Sequence, residues 1–83
     1  MALNRQEIEE LLNREDICYI ATTRPDGRPH VMPIWFIYHE GKIYFETDET
    51  TVKFRNIQHN NKVVIVFGGK STYIVEGSVK WCK

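Results

Sequence analysis

The sequence predicts a small, mainly β protein, a β-barrel of antiparallel strands with small helices. Runs of β-branched and aromatic residues recur along the 83-residue chain, and turn-forming segments separate most of them. One amphipathic helix precedes the strands and one short helix interrupts them. The order of helix, three strands, short helix and two strands is that of a broken meander, which suits an antiparallel barrel better than a parallel sheet.

The first element is a helix that is expected to end near Arg14. Asn4 and Glu7 have the spacing of a capping box, which places the start of the helix at this point. Apolar residues then recur at helical spacing, and the acidic residues between them are expected to face solvent. The apolar positions are Ile8, Leu11 and Leu12, and the acidic ones are Glu7, Glu9 and Glu10.

A β-hairpin follows the helix. The run "ICYIATT" is typical of a strand, and "RPDGR" contains the Pro-Asp-Gly order of a tight turn. The return strand, residues 29–38, is apolar on both faces, so we expect a cover on each side. Pro33 lacks an amide proton, which predicts an edge position or a bulge; an ordinary edge bulge and a ligand contact both remain open.

The remaining elements are one more strand, a short helix and two final strands. Residues 42–47 form the third strand, and residues 51–60 form a helix whose inner face carries Phe54 and Ile57. Its cap is Asp48, Thr50 or Thr51, since each of these side chains accepts hydrogen bonds from helix amides. The last strands are residues 62–67 and residues 71–82, with a bulge or bend expected at Gly77.

Composition excludes several classes of protein. Eleven basic and eleven acidic residues give a formal net charge of zero, which disfavours nucleic acid as a partner. No apolar run reaches the length of a membrane span, and the charged N-terminus does not resemble a secretory signal, so we expect one cytoplasmic domain over residues 1–83 without a membrane partner. Cys18 and Cys82 lack metal-ligand spacing, and no metal site is predicted.

The polar stretch "TDETTVKFRN", residues 47–56, forms the junction between the third strand and the second helix. A helix start offers free amides and a partial positive charge, and Thr51, Lys53 and Arg55 add a hydroxyl and two cations. The junction can therefore bind a phosphate. The alternative is a capped helix with a solvated cationic face, in which Asp48 and Glu49 neutralise the helix end themselves.

The segment from "IATTRPDGRPHVMPIWF" through "IYFET" to "RNIQHNNKVVIVF" resembles the N-terminal half of the pyridoxamine 5'-phosphate oxidase-like, FMN-binding split-barrel family. The resemblance covers most of the chain. It implies an antiparallel split barrel, a homodimer and a flavin-dependent oxidoreductase. In such proteins the flavin phosphate lies at the start of the short helix and the isoalloxazine ring lies along the second strand.

Carried over to this chain, the resemblance implies nine cofactor-binding residues. Those of the phosphate site are Thr47, Thr51, Val52 and Lys53. Those along the ring are His30, Val31, Met32 and Pro33, with Glu46 beside them. The resemblance further implies that a second subunit completes the site, and it places the aromatic residues Trp35 and Phe36 in that interface.

The chain departs from the family pattern in two places. Val52 stands where oxidases of the family carry an arginine, so weaker phosphate binding is expected. Family members also continue through further strands, whereas here no further strand follows the last one to pair with its free edge. The barrel is therefore expected to be truncated and to close by dimerisation or strand exchange, or the chain is a fragment.

Three functions are compatible with these observations. The first is an FMN-dependent oxidoreductase, for which no catalytic residue can be assigned; His30 is the only acid–base candidate near the ring position. The second keeps the fold and binds the deazaflavin F420 or haem, as relatives of the family do. The third is a non-enzymatic dimerisation module that has lost its ligand.

Overall fold

The computed structural model describes residues 5–68 and 72–80. Within these ranges the chain forms two helices and six strands. They are α1 (Arg5–Arg14), β1 (Ile17–Thr23), β2 (Pro29–Trp35), β3 (Ile37–His39), β4 (Lys42–Tyr44), α2 (Val52–His59), β5 (Lys62–Phe67) and β6 (Tyr73–Ser78). The predicted order of helix, strands, helix and strands is confirmed.

The strands form a four-stranded sheet and a separate two-stranded ribbon. In the sheet the strand order is β2-β1-β5-β6, and every neighbouring pair is antiparallel. The ribbon consists of β3 and β4, also antiparallel. The burial of the side chains alternates along β1 and β5, so one face of the sheet is buried and the other is more exposed.

The core lies between the inner face of the sheet, the two helices and the ribbon. Phe67 is fully buried, and the ring of Phe36 packs edge-on against it with 4.9 Å between centroids. The fully or nearly fully buried apolar side chains are Leu11, Leu12, Cys18, Ile20, Ile34, Phe36, Ile57, Val63, Ile65 and Phe67. Helix α1 contributes Leu11 and Leu12 to this cluster, as its apolar spacing predicts.

The predicted return strand, residues 29–38, is broken at Phe36. The amide of Phe36 donates to the carbonyl of Asp16 at 3.1 Å, and β3 begins at the next residue. The aromatic side chain turns into the core at this break, where Phe36 is 8% exposed, while the adjacent Trp35 stays at the surface. The strand predicted over residues 42–47 is also shorter than expected, because β4 ends at Tyr44.

The predicted bulges are absent from the described strands. Pro33 lies in register with Tyr19, and β2 is an edge strand, so the missing amide proton costs no ladder hydrogen bond. Gly77 pairs in register with Val63, and β6 ends one residue later. The predicted cap at Asn4 lies outside the described residues.

One acidic residue of α1 does not face solvent as predicted. The hydroxyl of Tyr38 donates to the carboxylate of Glu9 at 3.0 Å, and Glu9 is half-buried. This bond, followed by burial, raises the pKa of Tyr38. It ties α1 to the ribbon, which explains why a glutamate lies on the inner side of the helix.

The outer face of the sheet is apolar where β1 and β2 pair. Its cross-strand pairs are Ile17 with Trp35, Tyr19 with Pro33 and Ala21 with Val31. Trp35 is 79% exposed and Val31 is 61% exposed. We call these six residues the outer face. A single copy of the chain leaves it uncovered, although its composition predicts a cover.

Candidate functional site

Thr51 caps α2 with its side chain. The hydroxyl oxygen accepts from the amide of Phe54 at 3.3 Å and donates its proton to the carbonyl of Asp48 at 2.8 Å. The hydroxyl of Thr47 lies 3.2 Å away and completes the group. Because the single proton of Thr51 is already donated, this hydroxyl serves the cap and has no proton for an incoming anion in this conformation.

Asp48 does not neutralise the start of the helix directly. Its carboxylate accepts from the amide and the hydroxyl of Thr50, both at 2.8 Å. These two bonds lower the pKa of Asp48, and the positive charge of Lys53 lowers it further. The first turn of α2 itself contains no acidic residue, so its amides keep their partial positive charge.

Lys53 is the most unusual side chain of the junction. It is only 6% exposed, yet among the described residues it has no ion pair and no hydrogen bond. The amides of Val52 and Lys53, at the first two positions of α2, have no acceptor in the preceding turn. The low exposure is that of the whole side chain: Nζ of Lys53 is not among the buried nitrogen atoms that lack a partner, and its charge acts on Asp48. An anion at this end of the helix would give the ammonium group a further attractive partner.

Lys53 lines a cleft of about 550 Å³. We call it the apolar cleft, because aromatic and aliphatic side chains form most of its wall. It is lined by Met32, Pro33, Ile34, Trp35, Phe36, Ile37, Tyr44, Phe45, Glu46 and Lys53. Six consecutive residues from β2 into β3 take part, so the cleft follows the free edge of β2. The size and lining are typical of a small-molecule site.

The structure brings some of the nine predicted cofactor residues together. Met32, Pro33, Glu46 and Lys53 line the apolar cleft. Thr47 and Thr51 belong to the cap beside it. Their roles toward a ligand remain predictions.

The other three predicted residues lie outside the apolar cleft. Val31 is on the outer face, because its side chain points to the opposite side of β2 from that of Met32. Val52 is 43% exposed and lines a second cleft together with Arg55, a residue that we expected beside the phosphate. His30 points to the inner side of β2 opposite Thr22, and its Nδ1 is buried without a hydrogen-bond partner. An unsatisfied buried nitrogen is rare, so His30 remains a candidate for a ligand contact.

A buried hydrogen bond fixes the position of α2. The side-chain amide of Asn56 donates to the hydroxyl of Thr22 at 3.0 Å, and both residues are 2% exposed. The bond joins the middle of α2 to β1, directly beneath the junction. Sequence reasoning missed it, because Asn56 and Thr22 are 34 positions apart and neither is distinctive by type.

Cys18 shows none of the features of a reactive thiol. It is fully buried, and burial raises its pKa to about 11. Cys18 is therefore an ordinary core residue. Among the residues that the structure describes, no group of three His, Cys, Asp or Glu side chains is placed to hold a metal ion.

The aromatic and aliphatic wall of the apolar cleft was not predicted as part of a site. Trp35 was expected only in a subunit interface, and Ile37, Tyr44 and Phe45 only in ordinary strands. The signal that could have indicated them is the proline in a strand that is apolar on both sides. Such a strand is an edge strand, and the groove along its edge takes side chains of both faces.

The chain belongs to the pyridoxamine 5'-phosphate oxidase family. The family model of that description matches residues 5–82, which is nearly the whole chain. No curated protein sequence gives a significant match. The suspected resemblance is therefore confirmed at the level of the family.

Solved structures show the same fold. An F420 reductase is 32% identical over 87% of this chain, with a TM-score of 0.81. A pyridoxamine 5'-phosphate oxidase-related, FMN-binding protein from Nostoc punctiforme is 23% identical over 94% of the chain, with a TM-score of 0.76. A FAD-binding protein from Mesorhizobium loti is 20% identical over 92% of the chain, with a TM-score of 0.74. The predicted antiparallel split-barrel class is confirmed.

The chain spans only part of each of these structures. It covers 60% of the F420 reductase, 47% of the Nostoc protein and 58% of the Mesorhizobium protein. In the described part of the chain, neither helix is long and apolar enough to cross a membrane.

Proposed function

We propose that this protein binds a phosphate-bearing flavin, FMN in the simplest case, and acts in a flavin-dependent oxidoreductase. The observation that carries the proposal is Lys53, a cationic residue that lines the apolar cleft at the first turn of α2 and has no ion pair or hydrogen bond among the described residues. A planar, largely apolar ring fits the cleft, and the phosphate of the same molecule would be the close anionic partner of Lys53. The FMN-binding relative supports this choice of ligand.

The residues of the chain would divide the work of binding. The first-turn amides of α2 and the ammonium of Lys53 would hold the phosphate. Met32, Pro33 and the aromatic wall would position the ring and exclude water. A bound flavin supplies hydride or electron transfer, and the protein supplies its orientation and surroundings. Glu46 is the one carboxylate in the lining of the apolar cleft, and no acid or base role is assigned to it, so catalysis would depend on the flavin itself.

The deazaflavin F420 is a second candidate, and one observation favours it. The F420 reductase is 32% identical over most of this chain, a higher identity than that of the FMN-binding relative. F420 also carries a phosphate and a flat tricyclic ring, so the same cleft and the same lysine would bind it. The absorption spectrum of the purified protein and mass spectrometry of the released chromophore distinguish the two.

We further propose that two copies associate through the outer face. Five of its six residues are exposed, which is typical of an interaction surface, and Trp35 belongs both to this face and to the wall of the apolar cleft. A second copy seated on the outer face would therefore also close the cleft. The identical face on each copy suits a twofold, self-complementary contact.

The phosphate contact is tested by comparing FMN with riboflavin, which lacks the phosphate. Lys53→Met keeps the aliphatic stem and removes the charge, and Lys62→Met is the matched control on an exposed position of β5. We expect Lys53→Met to raise the dissociation constant for FMN about tenfold to hundredfold, which corresponds to the usual free-energy contribution of a charged hydrogen bond. Riboflavin binding should not change.

Two results would refute this assignment. If Lys53→Met binds FMN as tightly as the parent, Lys53 does not contact the phosphate. If it loses affinity for FMN and riboflavin equally, the substitution has damaged the cleft rather than a phosphate contact. Circular dichroism and the Lys62→Met control distinguish a general loss of structure from either outcome.

A further inference from the structure

A second cleft, of about 340 Å³, lies between the β1–β2 turn and α2. We call it the arginine cleft, because three of its seven lining residues are arginines. It is lined by Arg24, Pro25, Asp26, Arg28, Val52, Arg55 and Asn56. Arg24 and Arg28 flank the turn, and Arg55 faces them from the helix. The family assignment and the proposed phosphate site use none of these arginines.

The arginine cleft carries unbalanced positive charge. Nε of Arg28 donates to the carboxylate of Asp26 at 2.8 Å, so the only acid of the cleft is already paired. Bonds from Arg28, followed by the charge of Arg24, lower the pKa of Asp26, which keeps it ionised and engaged. In the described part of the chain Arg24 and Arg55 have no ion pair. Since the whole chain has no net charge, this excess is local.

The cleft is held in shape without a ligand. The amide of Arg24 donates to the carbonyl of Arg28 at 2.9 Å, and the amide of Gly27 donates back to Arg24 at 2.8 Å. Gly27 has a φ of 91°, a conformation that suits glycine and closes the turn. The opposite wall is fixed by the buried bond from Asn56 to Thr22. The walls are therefore preformed, and the ordering entropy lost on binding is that of the arginine side chains, which are exposed or half-buried.

The two clefts lie next to each other at the first turn of α2. Val52 lines the arginine cleft and Lys53 lines the apolar cleft, and the Cα atoms of successive residues are only about 3.8 Å apart. The side chains of successive helix residues point about 100° apart, so a ligand whose phosphate is at Lys53 would pass around the first turn of α2 to place its next group in the arginine cleft. FMN ends at its phosphate and would leave the arginines unused.

We propose that the arginine cleft binds a second anionic group of the cofactor, a phosphate or carboxylate that lies beyond the phosphate at Lys53. The protein then binds an extended flavin or deazaflavin more tightly than FMN. This inference rests on the proposed flavin site for the ring and the first phosphate. FAD, with a pyrophosphate, and F420, with carboxylates beyond its phosphate, are the two sources of such a group. Arginine forms paired hydrogen bonds with either anion.

The test compares the affinities of riboflavin, FMN, FAD and F420 for the parent and for Arg24→Gln/Arg55→Gln. Arg5→Gln/Arg14→Gln, on exposed positions of α1, is a control with the same change in net charge. We expect the parent to bind FAD or F420 at least about tenfold more tightly than FMN, and the cleft variant to lose this advantage. Riboflavin and FMN should bind the parent and both variants alike. Of FAD and F420, the cofactor whose affinity exceeds that of FMN by more identifies the anion as a phosphate or a carboxylate.

Three results would overturn the inference. Equal losses for FMN and the extended cofactors would mean that the arginines serve the first phosphate. No loss for any ligand, or an equal loss in the control variant, would mean a solvated cationic surface. A parent protein that binds FMN as tightly as FAD and F420 would show that no second anionic group is recognised.

If the parent binds no flavin, the proposed function fails and the cleft is tested alone with inorganic pyrophosphate. We then follow the amide NMR signals of Gly27 and Arg55 during titration. Shifts of both signals in the parent, absent from the cleft variant and retained in the control variant, would support an anion site. Unmoved signals in the parent would refute it.

Discussion

The hydrogen bond between Asn56 and Thr22 allows a double-mutant test of how α2 is attached to the sheet. Thr22→Val and Asn56→Leu each remove one partner with little change in shape, and each leaves the other polar group buried and unsatisfied. Both residues are 2% exposed, so water cannot replace the lost partner. Each single substitution should therefore lower the free energy of unfolding by about 1 to 3 kcal/mol.

The double variant should be more stable than the sum of the two changes predicts. Replacing both partners by apolar groups of similar shape leaves no unsatisfied group, and such replacements are close to neutral. Urea unfolding followed by tryptophan fluorescence, at one fixed protein concentration, gives the four free energies of the cycle. Gln58→Leu, on the exposed side of α2, should change stability by less than about 0.5 kcal/mol. Additive losses in the double variant would refute the reasoning, since they would show that the two side chains act independently.

Three further predictions concern the outer face, the core and the buried thiol. Trp35→Asp should leave the fold intact, because Trp35 is 79% exposed, but should convert a dimeric parent into a monomer in sedimentation; a monomeric parent at micromolar concentration would contradict the proposed association. Phe67→Ala should cost about 3 to 5 kcal/mol in urea unfolding, because the ring is fully buried against Phe36, and a loss below about 1 kcal/mol would contradict its central place in the core. Burial raises the pKa of Cys18 from 9.0 to about 11, so its contribution to stability is complete below pH 9 and is lost as the pH rises to 11. Cys18→Ala should flatten the fall in unfolding free energy over that interval, and an equally steep fall would show that other groups cause it.

Local patterns predicted the helices and the order of elements along the chain well. The ends of α1 and α2 follow from spacing and capping chemistry that lie within a few residues, and Arg14 and Thr51 are where those patterns place them. The break at Phe36 could not be predicted in this way. It depends on a ring packing against Phe67 and an amide reaching Asp16, contacts that only the folded chain brings together.

The candidate site was predicted only in part, because burial and the direction of side chains depend on the folded chain. The family resemblance indicated Met32, Pro33, Glu46 and Lys53, which the fold does bring to one cleft. It did not indicate that Lys53 is buried, because a lysine on a short polar segment is usually solvated. The arginine cleft was missed because Arg55 was assigned by its distance along the chain from Thr51. Its direction around the helix instead takes it to the side of the β1–β2 turn.

The walls of the apolar cleft come from different sheets, and this determines how its width is controlled. Hydrogen-bonded neighbours in a sheet are held about 4.8 Å apart, but the described strands contain no ladder that joins β2 to the ribbon of β3 and β4. The chain passes between them at Phe36 alone. The gap is therefore set by side-chain packing, and the ribbon can tilt on Phe36 without breaking main-chain bonds. Rings of different thickness or substitution can then enter one scaffold at a small energetic cost, and amide exchange in the ribbon should be faster than in β1 and β5.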